Sequence, residues 1–216
     1  MYTLYYAPGT ASLAVHWMLI HLDVPFTLRL VDLKAKEQQS PEYLAINPSG
    51  FVPALVVDGM AHAECAALLM LLAERHPEAG LEPARGTPER ADYLQSFFYL
   101  ANTLQPAFRA WFYPDEVAGP ENSEAVRAHA RPKIEACFAR LDARFADGRP
   151  YLLGPRLSAV DFLATMLARW SRNMPRPATR FPHLLPYLDR MRSLASLKTV
   201  HAREGLADWI DAGDGR

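Results

Sequence analysis

The dipeptide Asp58-Gly59 constrains this chain more than any other pair of residues. It stands between a short apolar run, Ala54-Leu55-Val56-Val57, and a shorter return, Met60 to His62. Two-residue hairpins of the favoured type need positive φ at both central positions, and Asp-Gly meets that need. A β-hairpin is therefore expected here. The run is entered through Asn47-Pro48-Ser49-Gly50-Phe51-Val52-Pro53. If Val52-Pro53 is cis, the chain turns sharply and leaves the Val52 N–H and C=O unpaired at a strand edge, where an extended peptide backbone can bond them. A trans proline opening an ordinary strand fits the same letters. After the hairpin comes Glu64, and the apolar stretch from about Cys65 to His76 reads as a helix, so an acid stands at a helix start.

The flanking segments place this hairpin in a larger pattern. Tyr2 to Tyr6 reads as a strand, Ser12 to Leu22 as a nearly all-apolar helix, and Phe26 to Val31 as an alternating strand. A short helix is expected near Pro41 to Leu44. The order β-α-β-α-β-β-α predicts a mixed sheet with helices packed on it. Proline and glycine then crowd into residues 77–88 without periodicity, which marks a linker between a first domain, 1–78, and a second, 88–216.

The second domain reads as all helix. Thr87-Pro88 supplies an N-cap and a first-turn proline for a long helix through Phe108, kinked at Pro106. Ser123 to Phe145 reads as another, bent at Pro132. Ser158-Ala159-Val160-Asp161 has capping-box spacing, with Leu157 and Phe162 as a hydrophobic staple. Helices opened by Pro182 and running from Leu194 to Leu206 complete the reading, before a polar tail from Asp211.

Composition removes several classes. The chain has 216 residues, 50% of them hydrophobic, and can bury a core in each of two small domains. A formal net charge of −1 leaves no electrostatic footprint for nucleic acid or an anionic membrane. Its longest apolar run, Ala66 to Ala73, falls far short of the roughly twenty residues that span a bilayer. The opening residues read directly as strand, so no cleavable signal is expected. Two cysteines, Cys65 and Cys137, suit the reduced state and a cytoplasmic setting better than a disulfide framework.

Asn47-Pro48-Ser49-Gly50-Phe51-Val52-Pro53-Ala54-Leu55, followed by Glu64 before a helix, resembles the glutathione transferase family. The start, Leu4-Tyr5-Tyr6-Ala7-Pro8-Gly9-Thr10-Ala11-Ser12-Leu13-Ala14, is similar to the bacterial beta-type members, and Ser158 to Asp161 to the family's helical-domain capping box. The resemblance implies an α/β thioredoxin-like domain that binds glutathione. After it comes an all-α domain that forms the wall of the electrophile site. It also implies a detoxifying homodimer in the cytoplasm, with glutathione as cosubstrate and no other cofactor.

Residue by residue, the resemblance assigns Val52 and Pro53 to the glutathione backbone. Glu64 takes the γ-glutamyl amino group, and Cys65 the carboxylate through its N–H at a helix N-terminus. The family usually has serine at Cys65, so a hydroxyl donor becomes a weak thiol donor while the backbone N–H survives. Read without the resemblance, Glu64 is an acidic cap and Cys65 a small buried hydrophobe. Lys36 falls where beta-type members hold the glycyl end, and a solvated surface lysine is the plain reading of it.

The thiol chemistry depends on how a thiolate is stabilised. A free thiol near pKa 8.5 is mostly protonated at pH 7, and lowering it by roughly two units takes about 2.7 kcal/mol. Beta-type members carry cysteine at the position of Ala11, and a methyl group can neither donate a hydrogen bond nor form a mixed disulfide. The remaining candidates are the Ser12 hydroxyl, which could instead cap the first helix, the Tyr6 hydroxyl, and the helix N-terminus alone.

On the first helix of the second domain Asn102, Gln105 and Arg109 form a polar stripe among aromatics. Such stripes usually face solvent, whereas the resemblance implies an electrophile site. His16 and His21 lack the partners of a metal site and read as ordinary core or surface histidines. Gly9 has no nucleotide-binding context. The sequence thus reads as a glutathione transferase acting on a hydrophobic electrophilic small molecule. The alternatives are a glutathione-dependent isomerase or dehalogenase, and a non-catalytic ligand- or protein-binding module of the same fold.

Overall fold

A computed structural model describes residues 1–210. Its described residues separate into two compact units, one formed by Met1–Glu82 together with the segment from Arg192, the other by Pro83–Met191.

In the first unit, β1 (Tyr2–Tyr6), α1 (Ser12–His21), β2 (Phe26–Leu30), α2 (Pro41–Leu44), β3 (Ala54–Val57), β4 (Met60–Ala63) and α3 (Cys65–Arg75) follow in the expected order. The sheet order is β2-β1-β3-β4. β1 runs parallel to β2 and antiparallel to β3, with Tyr5 opposite Ala54. Asp58 and Gly59 have φ of 52° and 87°, so the hairpin turn takes the two positive angles its residues suit. The Val52-Pro53 bond is cis.

Sheet and helices meet over a dense core. From Ser12 to Leu19 every residue of α1 is buried, which explains why its sequence lacks a polar face. One side of α1 is covered by α10 (Ala195–Arg203), the last helix among the described residues. Trp17 Nε1 donates to Ser196 Oγ at 2.9 Å, and His21 Nδ1 lies 3.1 Å from the same hydroxyl. Residues from Arg192 therefore group with the sheet, whereas the sequence reading carries the helical domain on to residue 216. The reason is chemical: an all-apolar helix needs cover on more than its sheet side. The polar tail expected from Asp211 lies outside the described residues.

The second unit is helical, with α4 (Pro88–Tyr99), α5 (Gln105–Phe112), α6 (Asp115–Ala118), α7 (Ser123–Phe145) and α8 (Ala159–Trp170). The last helix that starts in it is α9 (Leu184–Ser193). Thr87 does not cap α4, since its hydroxyl donates to the Ala84 carbonyl at 2.9 Å. Between α4 and α5, Leu100–Leu104 forms a π-helical turn in which the Gln105 N–H reaches the Leu100 carbonyl. Pro106 accounts for it: proline lacks an N–H and its ring would strike the carbonyl four residues back, so the turn widens. Pro132 sits inside a continuous α7.

Asp161 organises the start of α8. Its carboxylate accepts the Leu152 N–H at 2.9 Å and both the N–H and hydroxyl of Ser158 at 2.8 Å. The capping-box expectation holds in the reach of Asp161 back to Ser158. Burial nevertheless raises the Asp161 pKa from 3.8 to about 6, against the lowering effect of those donors.

Candidate functional site

Three pieces of the first unit meet at the C-terminal end of β1. They are the loop from Ala7 to Ala11, the cis-proline bend before β3, and the start of α3. The β1–β3 register brings the first two together, because Tyr5 lies opposite Ala54, the residue after Pro53. The third is tied in by the Cys65 thiol, which donates to the Ala11 carbonyl at 3.2 Å.

Val52 lies outside β3, and neither its N–H nor its C=O has a hydrogen-bond partner among the described residues. Its side chain is half-buried against Val31, Tyr43 and Ala54, with Leu33 packed on the same cluster. The bend is held from behind by Tyr43 Oη and Asn47 Nδ2, which donate to the Phe51 carbonyl at 2.6 and 2.7 Å. Val52 is therefore fixed by packing and by its neighbour while its own backbone groups stay open.

Glu64 has φ 69° and ψ 102°, a region that non-glycine residues rarely adopt and that costs about 1–3 kcal/mol. Its side chain is exposed, does not cap α3, and makes no hydrogen bond or ion pair among the described residues. An acid is thus held in a strained conformation, with no internal contact to account for it, at the electropositive end of an 11-residue helix. Next to it, Cys65 is 4% exposed. Burial, with the Glu64 charge beside it, pushes its thiol up to about 12, so it stays neutral at every ordinary pH. In native protein at pH 8 we expect no release of chromophore from an aromatic disulfide reagent over minutes. Reaction of both cysteines should follow on denaturation. Rapid reaction of the folded protein would contradict this burial.

The candidate thiolate donors lie on or beside this loop. Ser12 is 0% exposed. Its hydroxyl neither caps α1 nor faces outward: it donates to the Ala7 carbonyl at 3.0 Å, accepts the Ala7 N–H at 3.2 Å, and touches Thr10 Oγ1 at 2.9 Å. Thr10, partly exposed, was not among the donors expected from the sequence. Its signal was a second hydroxyl two residues before Ser12. Tyr6 is half-buried with its ring edge-on to His16 at 5.5 Å. Ala11 is half-buried, its carbonyl held by Cys65. Lys36 is exposed, in the left-handed conformation at φ 57°, three residues beyond Leu33.

The loop is braced from α1 and from the turn that follows α10. Glu204, 7% exposed, accepts the Gly9 N–H through Oε2 at 2.8 Å, and its Oε1 lies 2.8 Å from His16 Nδ1. His16 is thus a core histidine with a carboxylate partner. That partner, nearly 190 residues away, had no local signal. Among the described residues no group of three His, Cys, Asp or Glu could hold a metal ion.

The polar stripe belongs to the helical unit. Asn102, on the π-helical turn, is exposed and Gln105 is half-buried; neither side chain has a hydrogen-bond partner among the described residues. Arg109 is engaged, with Nε and Nη2 donating to Glu116 at 2.8 and 2.6 Å and its guanidinium 4.0 Å from the Tyr113 ring centre.

A thioredoxin-like sheet with a cis-proline edge, carried in one chain with an all-helical unit, defines the class of protein. Comparison narrows it. Residues 10–75 match the model of the glutathione S-transferase N-terminal domain, and residues 124–190 that of the C-terminal domain. A glutathione S-transferase, GST-4.5, of Xanthomonas campestris pv. campestris is 32% identical over 94% of this chain and 98% of its own. A glutathione transferase homologue from Sulfitobacter, solved with bound glutathione, superposes with a TM-score of 0.86 at 31% identity, covering 94% of this chain and 98% of that one. The beta-class enzyme of Sphingomonas chungbukensis does so at 0.82 and 28%, covering 94% and 99%. The chain belongs to the glutathione S-transferase family, whose members use glutathione as cosubstrate.

Proposed function

We propose that the protein binds glutathione along the Val52 edge and catalyses attack of its sulfur on an electrophilic small molecule. The observation that carries this reading is Glu64, a strained and unpartnered carboxylate at a helix N-terminus beside the open Val52 backbone. Such an acid complements an α-amino group. The Cys65 N–H at the start of α3 complements the adjoining carboxylate, and the Val52 N–H and C=O complement a cysteinyl backbone. Lys36 is proposed for the glycyl carboxylate, since its ammonium group has no internal partner among the described residues. For the electrophile we propose Asn102 and Gln105, whose polar groups are uncommitted, with Arg109 held for it by Glu116. Two buried free cysteines accord with a cytoplasmic setting.

Retention on immobilised glutathione, followed by a screen of aryl halides, epoxides and enals for conjugate formation, tests the proposal. Retention with conjugation supports it, and failure of the protein to bind glutathione overturns it. Retention without any conjugation would favour the second reading, a non-catalytic binding module. One observation speaks for that reading: Ala11 supplies no reactive group, and Cys65 is too buried to replace it.

We also propose a two-fold dimer. Phe98 on α4 is 61% exposed and Tyr113, just past α5, is 46% exposed, apolar surface that a partner copy would cover. Sedimentation at micromolar concentration should give twice the chain mass of 24.2 kDa, and a monomer would refute the proposal.

A further inference from the structure

A cleft of about 310 Å3 lies between α4 and α7, wholly within the helical unit, and shares no residue with the Val52 edge, Glu64 or the polar stripe. Its volume falls at the small end of the range, about 300–1,000 Å3, that small-molecule sites occupy. The floor is apolar, made by the buried side chains of Leu100, Leu141 and Leu152. Two polar side chains of the wall have no use inside the protein. Ser96 is 8% exposed, and a serine inside a helix ordinarily either faces solvent or returns its hydroxyl to the carbonyl four residues back. Here the hydroxyl has no hydrogen-bond partner among the described residues, and neither has the amide of Gln95 beside it.

The charge on the wall is positive. Arg140, exposed, lies over the Tyr99 ring at 4.3 Å from its centre and forms no ion pair among the described residues. The Tyr99 hydroxyl can accept at most two of the five guanidinium N–H groups, so donors remain. Burial, with the Cys137 thiol bonded to it, pushes the Tyr99 phenol up to about 12, and no phenolate arises at ordinary pH to neutralise the arginine. Arg144 is already matched: Nη2 donates to Asp92 at 2.8 Å and Nε to the Leu152 carbonyl at 2.9 Å. No Asp or Glu among the described residues lines the cleft.

Each of these features selects something in an occupant. A guanidinium fork fits the two oxygens of a planar carboxylate. One uncompensated positive charge matches one negative charge, which disfavours the dianion of a phosphate monoester. The leucine floor takes a hydrocarbon body. We propose that the cleft binds a small organic monocarboxylate, its carboxylate held by Arg140, its further hydrogen bonds offered by Ser96 and Gln95, and its apolar body laid on the leucines. This site is independent of the glutathione reading.

Calorimetric titration of the full chain with 2-naphthoate, and with 2-naphthamide as its uncharged counterpart, tests the proposal. Naphthoate should bind at one site per chain and about tenfold or more tighter than naphthamide. Arg140→Gln should weaken naphthoate about tenfold or more while changing naphthamide less than about twofold, and Ser96→Ala should weaken naphthoate about threefold. Asp92→Asn, which releases Arg144, should tighten naphthoate instead, a gain that impaired folding cannot produce. Retention of Arg140→Gln on immobilised glutathione should equal that of wild type. Absence of naphthoate binding by the wild type would overturn the proposal, as would equal affinity for acid and amide. Loss of naphthoate binding in Arg109→Gln with none in Arg140→Gln would overturn it in favour of the polar stripe. Dissociation of a dimer by Arg140→Gln, seen in sedimentation with no naphthoate bound by the wild type, would overturn it in favour of a contact between copies.

Discussion

Replacement of Glu64 by alanine is expected to weaken glutathione binding by about 1.5 to 3 kcal/mol, roughly 10- to 150-fold in Kd. The carboxylate has no other partner among the described residues, so the loss should appear in binding rather than in folding. Glu64→Gly sharpens the contrast. Glycine adopts φ 69° without steric penalty, and relief of the strain should raise stability by about 1 kcal/mol while affinity falls as in the alanine variant. Opposite signs of the two effects identify a residue held in place for a ligand. If melting temperature fell together with affinity, or calorimetric affinity were unchanged, Glu64 would be a structural cap instead.

The second large effect concerns stability. Asp161→Ala removes the acceptor for two buried backbone N–H groups, those of Leu152 and Ser158, at about 1–3 kcal/mol each. A loss of about 3 kcal/mol or more should lower the melting temperature by roughly 6 to 12 °C. The carboxyl also gives that loss a pH dependence. Because its folded pKa of about 6 lies above the ordinary 3.8, the folded state binds the proton more readily between those values. The associated stabilisation is complete below pH 3.8 and is lost as pH rises through 6. The gap between wild type and Asp161→Ala should therefore be wider at about pH 4 than at about pH 7, as read by calorimetric unfolding. A gap that widened with pH, or a melting temperature within about 2 °C of wild type, would contradict this account of Asp161.

The sheet unit was legible because its signals are local. Asp58-Gly59 demands a particular turn, alternation at Phe26 to Leu30 demands a strand, and Ala54 to Val57 has no room for a helix before that turn. The cis bond at Val52-Pro53 needed the family resemblance as well, since its letters also fit an ordinary strand entry. Proline effects were legible only in kind. Pro106 perturbs its helix as expected, but as a widened π-helical turn, and Thr87 turns its hydroxyl to Ala84 in preference to the helix it precedes. The hydroxyl cluster was not legible at all. Whether Ser12 points to a ligand, a helix end or the Ala7 carbonyl depends on where a tertiary turn places that carbonyl, and no spacing rule encodes it. Glu204 was missed for the same reason: nothing near it in sequence announces a partner at His16.

That distant partnership bears on how the protein is made. α1 forms early in synthesis, yet the residues that cover it, Ser196 and Glu204 among them, emerge only after the whole helical unit. Until then Trp17 and the buried imidazole of His16 lack their native lids, and closure of the sheet unit is a contact of very high sequence separation. The two ends of the chain therefore mature together. A fragment ending in the linker would retain every strand of the sheet and still present an unfinished, aggregation-prone face, so the sheet unit is autonomous in outline but not in completion.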